Sequence, residues 1–263
     1  MARARAVYRG SASTKRVGLI DELRGIVILG VVVYHLLYDL TGMYGFDIPL
    51  FYSSWVDIVR DAGAGMFIFI SGAMCRFSRN NLRRGAACLA VALGLSLVSY
   101  LMMPDQFIAF GILHNLGASM LLYWLLRPLL ERIPWLLGLL VMAALFVMTL
   151  SVGRGTIGLP GLFNAAIPDT LYQTKFLFPF GLPDAAFQSA DYYPLLPWFF
   201  LFLAGSYLGA PLRAGSFPEG VYDTRFRSLA FLGKHTLIIY LAHQPIILGA
   251  LEVIFRLKEM LIK

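Results

Sequence analysis

Residues 21–39, DELRGIVILGVVVYHLLYD, hold an apolar run about one helix long, with an acidic and basic cluster at one end and a His and an Asp near the other. An α-helix turns about 100° per residue, so Arg24 and His35 lie within about 20° of each other around its axis. Asp21 and Asp39 fall within about 40° of His35. Four ionisable side chains therefore share one stripe of an otherwise largely apolar helix.

Working outward, the whole chain is of the same character. Of its 263 residues 59% are apolar and 14% charged, which excludes an ordinary soluble domain. The reading is all-α: a polytopic integral membrane helical bundle of seven or eight transmembrane helices. Spans are expected over Leu23 to Leu40, Ala62 to Phe77, Gly85 to Met103, Phe107 to Leu126, Pro134 to Ser151, Leu195 to Leu212 and Leu229 to Phe255. The Gly-, Pro- and aromatic-rich segment from Val152 to Tyr193 is expected to fold over the membrane surface, with short interfacial pieces such as Tyr172 to Phe180.

The net charge of +7 resides in short runs between apolar segments, so it points to membrane orientation and not to nucleic acid. Five basic and no acidic residues precede the first span through Arg16, and Arg76, Arg79, Arg83 and Arg84 form a basic turn. The segments Thr41 to Asp61 and Val152 to Tyr193 carry more acids than bases. The N-terminus is thus placed in the cytoplasm and the long loop outside, in a multi-pass protein of the inner (plasma) membrane. The basic C-terminal RLKEMLIK argues against its own outside placement, and an eighth span in the long loop would remove that conflict. Cys75 and Cys88 lack any CxxC or Cys/His spacing, so neither a metal nor a disulfide is expected.

Ionisable residues inside spans are candidates for function. His35 lies about 16 Å along its helix from Arg24, His114 enters span four from the outer side, and His243 lies about 15 Å into span seven. Each has a plain alternative, an interhelical hydrogen bond. For His35 the presence of Asp39 at i+4 favours chemistry, because a carboxylate one turn away fixes the tautomer and raises the basicity of an imidazole. Arg24 with Asp21 reads either as an interfacial i,i+3 pair or as an anchor for the phosphates of a cytoplasmic cofactor, joined by Lys234 and His235. Gly63, Gly65 and Gly72 suggest close helix packing, and the aromatics of YYPLLPWFFLF an interfacial belt or, alternatively, a sugar platform.

The segment IDELRGIVILGVVVYH resembles the first helix of the transmembrane acyltransferases. Together with FISG, FGILHNLG, LPWFFLFLAG and LGKHTLIIYLAHQP, in that order, it is similar to bacterial relatives of the heparan-α-glucosaminide N-acetyltransferase catalytic domain. The resemblance runs from Arg16 to Phe255 and is weakest in the long loop. It implies a tail at 1–18, a transmembrane acyltransferase-like domain at 19–256 with an extracytoplasmic loop at 152–193, and a second tail at 257–263. It also implies transfer of an acetyl group from cytoplasmic acetyl-CoA to a hydroxyl or amine of an extracytoplasmic sugar or glycan. The first-helix motif carries over onto Asp21, Arg24 and His35 and the last-helix motif onto Lys234, His243 and Gln244. Joined with the residue reading above, His35, Asp39 and His114 are expected to be catalytic, while Asp21, Arg24, Asn115, Lys234, His243 and Gln244 are expected to bind the donor. His114, Asn115 or His243 would polarise the thioester carbonyl.

One departure stands out: the family's lysosomal enzyme has a His just before its second span, and Phe51 to Trp55 contains none. Either His35 takes that role or the reaction differs. The alternative class is a proton-coupled small-molecule transporter or lipid translocase, in which the same groups relay protons. The lipid bilayer is the expected partner, and a homodimer is left open.

Overall fold

The structure is a computed structural model that describes residues 16–159 and 161–262. The expected N-terminal tail falls mostly outside the described residues. Eight α-helices are present among them: α1 (Gly18–Gly42), α2 (Ser54–Cys75), α3 (Asn81–Met102), α4 (Ile112–Leu130), α5 (Trp135–Thr149), α6 (Leu195–Arg213), α7 (Arg227–Lys234) and α8 (Thr236–Ile262). Six of these segments are long and apolar enough to cross a membrane: α1, α2, α3, the stretch Trp135–Arg154 that contains α5, α6 and α8. The chain is therefore a multi-pass membrane protein. The fourth expected span, α4, falls short of that apolarity because it carries His114, Asn115, Ser119, Arg127 and Pro128.

The described chain divides into two compact units, Ile68–Ser216 and a second made of residues 16–67 and 217–262. In the first unit α4 packs against α3 and α6, and α5 packs against α6. The latter half of α2 meets α6 backbone to backbone. A Cβ on Gly72 would lie 1.9 Å from the Phe202 carbonyl oxygen, and one on Gly205 1.9 Å from that of Phe69. Only glycine permits this approach, which is how helices in lipid gain contact. The expectation of packing thus holds at Gly72, whereas Gly63 faces open space.

Beside this contact Arg76 is buried. Its Nε donates to the Ser206 carbonyl at 3.0 Å and its Nη1 to Glu131 at 3.0 Å. Its guanidinium carbon lies 5.8 Å from the Tyr123 ring centre and 5.9 Å from that of Tyr207, within cation–π range.

The long loop contains a feature that the sequence reading lacks, an antiparallel hairpin of β1 (Thr156–Leu159) and β2 (Phe163–Ala166). Short 3₁₀ turns follow at Asp169–Gln173 and Phe178–Phe180, inside the region where interfacial pieces are expected. Tyr172 donates its hydroxyl to the Val152 carbonyl, and Tyr192 donates to that of Phe178 at 2.6 Å. Burial, and then the neighbouring Tyr172, push the Tyr192 phenol above its ordinary range, so it remains a donor.

In the second unit the expected seventh span is divided. α7 ends at Lys234, and α8 starts at Thr236, whose hydroxyl donates to the Gly233 carbonyl at 2.7 Å. α7 is short and lies tightly on α1: a Cβ on Gly25 would sit 2.0 Å from the Leu229 carbonyl oxygen, and one on Gly233 1.8 Å from that of Asp21. The side chain of Glu22, 4% exposed, accepts from the backbone N–H groups of Arg225 and Phe226, at 2.5 and 2.8 Å. Both donors stand just before the first residue of α7, so the carboxylate ties the segment that leads into α7 to α1.

Candidate active site

The stripe on α1 meets α8. His35 and His243 stand edge to face with ring centres 4.7 Å apart and an interplanar angle of 78°. One turn on, both carboxylate oxygens of Asp39 accept from Gln244 Nε2 at 3.0 Å. Asp39 is 1% exposed. Further along, Tyr44 stacks on Phe255 at 4.3 Å. The pairs 35 with 243, 39 with 244 and 44 with 255 rise together, so α1 and α8 run in the same direction.

The hydrogen bonds fix what each ring can do. His35 Nδ1 faces the Val31 carbonyl at 2.9 Å, and His243 Nδ1 faces the Tyr240 carbonyl at 2.5 Å. A carbonyl oxygen can only accept, so each Nδ1 carries a hydrogen and each neutral ring keeps its lone pair at Nε2. His243 Nε2 is buried without a hydrogen-bond partner. The Gln244 amide is oriented by the same logic: its NH₂ meets a carboxylate, so Oε1 points elsewhere, and that oxygen too is buried and unpartnered.

This arrangement corrects the sequence reading on one point. Asp39 is close to His35 but does not set its tautomer; the Val31 carbonyl, one turn back on the same helix, does so. Asp39 instead holds Gln244. Backbone carbonyls leave no mark in side-chain patterns, so spacing offers no route to them.

His114 and Asn115 belong to the first unit, where their polar atoms are engaged. Ser96 Oγ donates to the Ile108 carbonyl at 2.6 Å and so accepts from His114 Nε2 at 3.1 Å. His114 Nδ1 then accepts from the Gly111 N–H at 3.2 Å. Asn115 Nδ2 donates to the Pro194 carbonyl at 3.0 Å, and its Oδ1 accepts from Ser119 at 3.3 Å. With Asp191 accepting from the Ile112 N–H at 2.9 Å, these contacts fix the start of α4. Both ring nitrogens of His114 are engaged, and Asn115 has one hydrogen bond at each end of its amide. The expected start of this span at Phe107 is likewise displaced to Ile112.

At the other end of α1, Asp21 is buried and accepts from Arg16 Nε at 2.6 Å. Arg24 is half-buried, and Lys234 is exposed at the end of α7. The close contact of Gly233 with Asp21 brings Lys234 beside the first turns of α1. Glu22 was not among the expected site residues. Its signal in the sequence is an acid at the edge of an apolar run, next to Asp21. Cys75 is buried, and Cys88 donates weakly to the Leu113 carbonyl at 3.4 Å, which suits packing and not chemistry.

A family model described as heparan-alpha-glucosaminide N-acetyltransferase, catalytic, matches residues 16–245. That range includes both imidazoles, Asp39 and Gln244. Searches of curated proteins and of solved structures return no match.

Proposed function

Because the chain belongs to the heparan-alpha-glucosaminide N-acetyltransferase catalytic-domain family, we propose that it moves an acetyl group from cytoplasmic acetyl-CoA to an amine or hydroxyl of an extracytoplasmic sugar or glycan. The observation that carries this reading is the pair of imidazoles in contact, His243 buried and His35 half-buried, each with its Nδ1 on a backbone carbonyl and its Nε2 lone pair left open. Arg24 and Lys234, on adjoining parts of α1 and α7, offer cations for the donor's phosphates. His35, about 16 Å further along α1, is the base. It takes the hydrogen of the acceptor as the nitrogen or oxygen forms its bond to the thioester carbon. The carbon–sulfur bond breaks, and the imidazolium returns the proton to the thiolate. A positioned base of this kind is worth about 10²–10⁴-fold.

The parallel course of α1 and α8 supports seven crossings. If α1 to α6 all cross, α8 is the seventh and runs with α1; six or eight crossings would oppose them. α4 would then be a crossing sheltered by protein, which explains why it tolerates His114 and Asn115. The N-terminus is assigned to the cytoplasm of a cell with this protein in its plasma membrane, on the strength of the basic tail and the Arg76 to Arg84 turn.

The test is release of free CoA thiol by the purified protein with acetyl-CoA and an amino sugar. His35→Ala is expected to lower the rate at least 100-fold. An unchanged rate would remove His35 from the chemistry, and pH-dependent substrate flux in liposomes without acetyl transfer would replace the enzyme with a transporter.

A further inference from the structure

His243 Nε2 and Gln244 Oε1 are two buried acceptor atoms on neighbouring residues of α8, and neither has a partner. An unpaired buried acceptor costs about 1–3 kcal/mol, so two together call for a bound donor. Both are held in this state by other groups. The Tyr240 carbonyl keeps the hydrogen of His243 on Nδ1, and Asp39 keeps the Gln244 NH₂ turned away. His243, 7% exposed, is also packed against the His35 ring.

We propose that His243 and Gln244 determine acceptor specificity by receiving hydrogens that are not transferred in the reaction. The substrate class is then a molecule whose reacting amine or hydroxyl has a second hydrogen-bond donor on the adjacent carbon. His35 deals with the reacting hydrogen, while His243 and Gln244 hold the neighbouring group and so fix the angle of attack. This rests on the acetyltransferase reading and adds to it. A site built to pair with a hydroxyl rejects the analogue that lacks it, because its own acceptors are then stranded; such discrimination reaches about 10⁴–10⁵-fold.

The experiment compares trans-2-aminocyclohexanol with cyclohexylamine, which differ by one vicinal hydroxyl, as acceptors for the purified full chain. The expected preference in kcat/KM is about 100-fold or more for the amino alcohol. His243→Leu should bring the ratio close to one, mainly by loss on the amino alcohol, and His243→Gln, which restores an acceptor oxygen, should recover part of it. Equal use of the two amines by the unaltered protein, or an unchanged ratio in His243→Leu, overturns the proposal. A second measurement needs no turnover: the ¹⁵N resonance of His243 Nε2 in protein labelled at histidine. A shift with the amino alcohol and none with cyclohexylamine supports the proposal even if neither is acetylated, in which case it is the acetyltransferase reading that fails. No shift with either overturns it.

Discussion

At His35 and His243 the decisive partners are backbone carbonyls one turn back, and these cannot be seen in a list of side chains. The sequence does identify the right residues on α1, since His35 and Asp39 share a face by helical periodicity alone. It does not show that Asp39 serves Gln244, because that contact joins positions 205 apart in the chain. The Asp39–Gln244 pair makes a stability prediction. Gln244→Leu strips a buried carboxylate of its only side-chain donor among the described residues, and should cost about 2–3 kcal/mol. Thermal unfolding in detergent should show a lowered midpoint. Adding Asp39→Leu should recover part of the loss, because a buried charge left alone is worse than none.

Among the helices, the long apolar ones were legible from composition, and their boundaries were off where tertiary contacts set them. The end of α7 and the start of α8 come from packing of Gly25 and Gly233, which a hydropathy run from Leu229 to Phe255 conceals. The late start of α4 comes from Asp191, a residue 79 positions away. The hairpin of β1 and β2 was missed because four-residue strands with a mixed pattern give almost no periodic signal. The α2–α6 contact gives the prediction at this scale. Gly205→Val places a side chain on the Phe69 carbonyl and should force the helices apart, at about 1–3 kcal/mol or more. Gly63→Ala, in open space on α2, should change the unfolding midpoint little and serves as the control.

For the molecule as a whole, the direction of α8 is the quantity to measure. A reporter enzyme that is active only outside the cytoplasm, fused after Lys263, should be active, and the same reporter placed in the Arg76 to Arg84 turn should be silent. Activity at both positions would contradict seven crossings. The basic RLKEMLIK end, which composition alone assigns to the cytoplasm, is the reason this experiment discriminates: charge counting and the α1–α8 pairing give opposite answers for it.

The sharing of one unit by α1 and α8 has a consequence for biosynthesis. The ribosome delivers His35 208 residues before His243. At about 5–20 residues per second this is about 10–40 s. Throughout that interval α1 stands in the bilayer with its acid and its imidazole lacking their mates, and residues 68–216 are completed before those mates are made. The imidazole pair is thus among the last contacts to form. Nascent chains released before α8 emerges would contain a complete first unit and no paired histidines, so an early stop or a stalled ribosome yields an inert product and not a half-active one.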